Sequence, residues 1–192
     1  MYGITFLELL FIFLNLGVIF LQTKKSALPN LFTLGNLSCG VMSIMMTFQN
    51  NFKNGCLFIL LAALMDRYDG RVARFLNVSS ELGKELDSLA DLVSFGVAPS
   101  ILIFNMYNFS KFGLLGYLLV LLFPLSGAYR LARYNITTFE GDFTGIPITL
   151  AGSFMAIYGL LTLNNTENYN LAVLFIVSLS YLMISKFKFK KF

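Results

Sequence analysis

The stretch "LMDRYDGRVARFLNVSSELGKELDSLADLVSF", Leu64 to Phe95, decides how the chain is read. It sets four carboxylates, Asp66, Asp69, Asp87 and Asp91, in an otherwise apolar chain. On helices, Asp66 and Asp69 lie three apart and Asp87 and Asp91 four apart, so each pair shares a face. The residues "FLNVSSELG" between them make a turn, with Gly83 allowing close chain approach. Two antiparallel helices then each aim two carboxylates at one level. Left uncompensated, each would cost on the order of several kcal/mol to desolvate. One reading places divalent cations among these hard oxygen ligands, with a phosphate that Arg74 grips by its planar fork. The other makes them an Asp–Arg network that caps helix ends. The small residues Gly70, Ala73 and Gly83 beside the acids leave room for a phosphate-bearing ligand and favour the first reading.

The surroundings are those of a membrane protein. The 192 residues are 57% hydrophobic and 12% charged, against roughly 25% charged in soluble domains. Seven apolar segments fall at about 4–21, 31–49, 55–75, 86–106, 112–132, 145–163 and 169–186. Each approaches the roughly 20 residues that cross a bilayer as a helix. Glu8, Asn15 and Gln22 form a polar stripe on the first segment, which either spans or lies in the interface. No basic region precedes it, so it does not read as a cleaved leader. With residues 22–30 on the cytoplasmic side, every basic residue except Lys53 and Lys111 falls on that side, as the positive-inside rule requires. The tail "KFKFKKF", 186–192, becomes a basic aromatic anchor at the cytoplasmic face.

The absent residue types exclude much chemistry. There is no histidine, which removes Ser-His-Asp and Cys-His nucleophiles and His-ligated metals. Cys39 and Cys56 stand alone in apolar segments and read as small packing thiols.

Read as a pattern, the opening stretch is D-x2-D-G-x2-A-R-x8-G-x3-D-x3-D, filled by Asp66, Asp69, Gly70, Ala73, Arg74, Gly83, Asp87 and Asp91. This resembles the signature of the CDP-alcohol phosphotransferases. "LPNLFTLGN" at 28–36 is similar to that family's first core helix. "SFGVAPS" at 94–100, "GAYRLARYN" at 127–135 and "GIP" at 145–147 resemble its phosphatidylserine-forming branch. The resemblance implies an all-α integral membrane fold, with a six-helix core over 26–186, an extra apolar helix in 1–25 and a basic cytoplasmic tail at 187–192. It implies that Asp66, Asp69 and Asp87 hold Mg²⁺ or Mn²⁺, with two ions expected, and that Asp91 is the general base and a further ligand. Asn30, Thr33, Gly70, Arg74 and Ser80 would contact CDP-diacylglycerol, with Ala73 and Gly83 giving the nucleotide room. Apart from the resemblance, Arg130 and Arg133 lie at the cytoplasmic end of the fifth segment and could hold the acceptor. The implied reaction moves a phosphatidyl group to L-serine at the cytoplasmic face of the cell membrane. The partners are two substrates, the bilayer and a second copy in a homodimer, with no nucleic acid.

Three other readings stand beside this one. The same chemistry could use glycerol 3-phosphate or inositol phosphate, whose phosphates call for extra basic residues. A transporter would show inverted repeats and acids at the midplane, and neither is visible. A structural scaffold would leave the ordering of the acids unexplained.

Overall fold

A computed structural model describes residues 27–76, 80–136, 143–165, 168–185 and 188–189. The expected helix within 1–25 lies outside the described residues, as does the tail except Lys188 and Phe189.

Six helical rods carry the described residues. Helix α1 is Ala27–Phe48 and α2 is Phe52–Leu76. Between them, Asn50 takes the left-handed conformation (φ 58°), which an asparagine tolerates better than most residues. Asn51 then accepts a bond from the Asn54 amide and caps α2. The third rod, α3, is Glu81–Met106. It begins at Ser80, whose extended backbone (φ −132°) and hydroxyl make an N-cap on the Gly83 amide at 3.0 Å. This start lies five residues before the apolar segment expected from 86, because the first turns of α3 are polar.

Midway, α3 widens into a π-helical turn at Leu92–Val97. Pro99 explains its place. A proline lacks an N–H and its ring collides with the carbonyl four residues back. Widening the turn before it shifts the bonds, so that the Ala98 amide reaches Val93 O.

A short 3₁₀ turn, Phe109–Phe112, leads into α4, Leu114–Ile136. Helices α5, Ile148–Leu161, and α6, Tyr169–Ile184, complete the bundle. The all-helical architecture has one exception that alternation did not signal. Strand β1, Phe143–Thr144, pairs antiparallel with β2, Lys188–Phe189, Thr144 lying opposite Lys188. Gly145 beside it has φ 75°, and a Cβ there would strike the Met183 carbonyl, so glycine is required.

Three rods, Pro29–Phe48, Glu81–Met106 and Leu114–Ile136, are long and apolar enough to cross a membrane. Helices α5 and α6 are apolar but hold 14 and 16 residues, about 21 and 24 Å at 1.5 Å per residue. Helix α2 is long enough, but its second half carries the acids and arginines.

Helix α1 packs along α2, α2 against α5, and α4 along α6, while the middle of α3 touches α1, α4 and α5. The core at their meeting point is Cys56, Ile59, Phe95, Leu102, Phe123, Ile148, Met155 and Ile176. Outer faces are apolar too: Leu114, Leu115, Leu118, Leu121 and Leu125 of α4 are exposed. A face that is apolar and yet unburied suits lipid.

Candidate functional site

The acids converge from two helices. Oxygen atoms of Asp66 and Asp69, on α2, and of Asp87, on α3, lie within 4.8 Å of one another. The acid-bearing stretches do not pack along each other as a simple antiparallel pair. The first half of α3 leans on α1 instead, and α1 bridges it to α2.

Helix α1 supplies what holds them. The Thr33 hydroxyl lies 3.2 Å from both Asp69 Oδ2 and Pro29 O, and donates toward them. The Asn36 side-chain amide donates to Asp91 Oδ1 at 3.0 Å. Asn30 is buried on the same face, with its Oδ1 only 3.1 Å from where a Cβ on Gly83 would stand. From α5, the Thr149 hydroxyl comes within hydrogen-bonding reach of Asp66.

Asp91 stands apart from the compact trio. It is 7% exposed and is tied to Asn36. It follows Asp87 by one helical turn and remains within electrostatic range of Asp66, Asp87 and Asp69.

The donor set fits a divalent cation. All ligand atoms are hard carboxylate oxygens from three residues, which leaves coordination positions for water or phosphate. Asp87 Oδ1 is buried without a hydrogen-bond partner among the described residues. Among the described residues, the charges bearing on Asp66 and Asp69 are those of neighbouring aspartates. The helix-capping Asp–Arg network therefore loses its support. Arg74 turns its Nε to Gly70 O at 2.9 Å rather than to an acid, and Arg67, Arg71 and Arg74 are exposed.

The glycines differ. A Cβ on Gly70 would meet no described heavy atom within 4 Å, so its face is open to a ligand. Gly83 is confined by Ser80 Oγ and Asn30 Oδ1. Ser80 itself spends its hydroxyl oxygen on the helix cap. Ala73 lies on α2 one residue before Arg74.

The two candidate acceptor arginines are not equivalent. Arg133 donates to Ile184 O at 3.1 Å and lies over the Tyr129 ring. Arg130 is half-buried with no partner for its Nε among the described residues, and Asp91 acts on its charge. Nearby, Asn135 joins α4 to α3 through Ser88 Oγ at 3.1 Å, and Lys84 reaches Asn135 O at 3.4 Å.

Sequence reasoning missed Asn36, Thr149 and Asn135. Asn36 left a signal: Asn30, Thr33 and Asn36 recur at threes in an apolar helix, which puts them on one face. Thr149 and Asn135 left none, because their places depend on how α4 and α5 dock.

Comparison with known proteins bears on this geometry. The CDP-alcohol phosphatidyltransferase family model matches residues 26–184. The chain is 39% identical over 173 residues to a CDP-diacylglycerol–serine O-phosphatidyltransferase of Helicobacter pylori, covering 85% of this chain and 72% of the relative. It is 39% identical over 166 residues to the Bacillus subtilis protein of that name, covering 86% and 90%. An archaetidylserine synthase of Methanothermobacter thermautotrophicus is 35% identical over 173 residues, covering 88% and 72%.

Proposed function

The chain belongs to the CDP-alcohol phosphatidyltransferase family, and from that premise we propose how its site works as a CDP-diacylglycerol–serine O-phosphatidyltransferase. The enzyme forms phosphatidylserine and releases CMP. The observation that carries the site reading is the convergence of Asp66, Asp69 and Asp87 within 4.8 Å beside the open face of Gly70.

Asp66, Asp69 and Asp87 would hold the divalent metal, Mg²⁺ or Mn²⁺, with two ions expected. When bound, it supplies neutralisation of the diphosphate and of charge on the departing CMP. Thr33 orients Asp69, and Thr149 steadies Asp66. The diphosphate approaches along Gly70, where no side chain intervenes, and Arg74 is placed to leave Gly70 O and fork onto phosphate oxygens. Asn30, Ser80 and Gly83 lie together at the start of α3 and contact the nucleotide, with Ala73 on the facing helix.

The serine hydroxyl oxygen attacks the phosphorus nearer the diacylglycerol. An O–P bond forms, the anhydride P–O bond breaks, and CMP departs with that electron pair. Asp91 Oδ2 receives the hydroxyl proton, since Oδ1 is occupied by Asn36. Arg130, whose Nε has no partner among the described residues, attracts the serine carboxylate. Because the donor keeps two acyl chains in the bilayer, the reaction occurs at headgroup depth. The distribution of basic residues favours the cytoplasmic face for that depth, and a homodimer is the expected assembly.

The test is purified protein with CDP-diacylglycerol, Mg²⁺ or Mn²⁺ and a panel of labelled alcohols. CMP release should require serine and cease with EDTA. Release driven by glycerol 3-phosphate or inositol phosphate, with serine inert, would assign the other acceptor class. Full activity after thorough chelation would remove the metal assignment.

A further inference from the structure

Helix α1 is held against the π-turn of α3 by an unusual set of contacts, all within two turns of Asp91. Asn36 is fully buried and donates to Asp91 Oδ1 at 3.0 Å. Ser94, in the π-turn, is also fully buried and returns a bond to the backbone of the same residue, Asn36 O, at 2.9 Å. One turn along α1, Gly40 lies so close to Ser94 that a Cβ there would fall 2.8 Å from the Ser94 Cα. On the other side, a Cβ on Gly152 of α5 would fall 2.6 Å from Phe95 O. The π-turn is therefore gripped by backbone from both sides, and Asp91 sits at its first boundary.

The second observation is a cost. Asn36 Oδ1 is buried with no partner among the described residues. An unpaired buried amide oxygen is destabilising, and each such group in a folded protein calls for an explanation. Packing alone would be better served by leucine, which has similar bulk and no polar atoms. The amide must also face one way: an ionised carboxylate only accepts, so nitrogen points to Asp91 and oxygen is left over.

We propose that Asn36 is a positioning residue for Asp91. Its amide fixes one carboxylate oxygen, holds Asp91 apart from the Asp66–Asp69–Asp87 trio, and presents the other oxygen to the acceptor hydroxyl. Asn36 thus divides four chemically identical side chains into three that hold cations and one that takes the proton. Ser94 anchors Asn36 in turn, through its carbonyl. This proposal rests on the reading of Asp91 as the proton acceptor.

The experiment compares Asn36→Leu, Ser94→Ala and Asp91→Asn as full-length protein in detergent, with rates normalised to folded protein. A misplacement of about 1 Å at a reacting group lowers rate by up to about 10²-fold. Asn36→Leu should therefore lower kcat by about 10- to 100-fold. Its KM for CDP-diacylglycerol, KM for serine and half-saturating Mg²⁺ should stay within about twofold. Ser94→Ala should show the same pattern at several-fold smaller size, and it decides the matter if Asn36→Leu does not fold. Unchanged kcat overturns the proposal, and so does a loss in which half-saturating Mg²⁺ or the donor KM moves in step with kcat. Asp91→Asn separates the two readings. If it turns over normally, the base assignment fails. If it is inactive while Asn36→Leu and Ser94→Ala are unimpaired, the base stands and only the positioning role falls.

Discussion

Helices α1 and α6 both cross the bundle with an apolar outer face, yet their inner faces are opposites. Helix α6 buries Ala172, Ile176, Leu179 and Met183, with Ser180 as the one polar residue among those its inner face buries. Helix α1 buries Asn30, Thr33, Asn36, Ser43 and Thr47 and turns Leu31, Val41, Met42, Met45 and Phe48 outward. In water the second arrangement would be inside out. In lipid the outer face must be apolar on every helix, so only the inner face is free to differ. The contrast separates a half that packs from a half that gathers the carboxylates and their polar partners. The packing half is α6, α5 beyond Thr149 in its first turn, and the core they share with α4. The other half is α1, the end of α2 and the start of α3.

The sharpest way to break this division is a matched pair of substitutions. Asp69→Asn is nearly isosteric and sits in the polar half. It should reduce turnover by about 10³-fold, the scale set by losing a principal charge-stabilising contact, and weaken metal and donor binding together, while thermal unfolding in detergent changes little. Met155→Ala sits in the packing half at 0% exposure. It should lose about 2–5 kcal/mol of stability and leave the kcat of the folded fraction intact. Should Met155→Ala cripple kcat in protein that remains folded, the two halves are not separate.

A smaller effect is expected at the border between them, where the arginines of α4 differ. Arg130→Ala should raise the serine KM by about tenfold, the equivalent of one charge-assisted bond of about 1.4 kcal/mol, with the donor KM nearly unchanged. Arg133→Ala should leave the serine KM alone and lower stability by about 1 kcal/mol, through its lost bond to Ile184 O. Initial rates at varied serine, measured beside melting curves, check both. Collapse of donor binding in Arg130→Ala would reassign that side chain to the donor phosphates.

The sequence by itself determined a great deal here, because lipid simplifies the rules. Long apolar runs have to be helices, since no other open segment satisfies its backbone in hydrocarbon. Acids inside such runs need a reason, so the spacing of Asp66, Asp69, Asp87 and Asp91 could be read as shared helix faces and as a cation-binding group. What the spacing did not contain was the relation between helices. It did not show that the first half of α3 rests on α1 rather than along α2, nor that Pro99 would be relieved by a π-turn at Leu92–Val97. It could not tell that Arg133 spends a donor on α6 while the Nε of Arg130 finds no partner among the described residues. Nor could it divide the four aspartates: identical side chains at similar spacing carry no mark of rank. The division proposed here rests on Asn36, a residue 55 positions away from Asp91 along the chain, which donates to that carboxylate. Periodicity fixes which residues share a face of one helix, but only docked backbones decide which faces meet and which hydrogen-bond donor arrives at which oxygen.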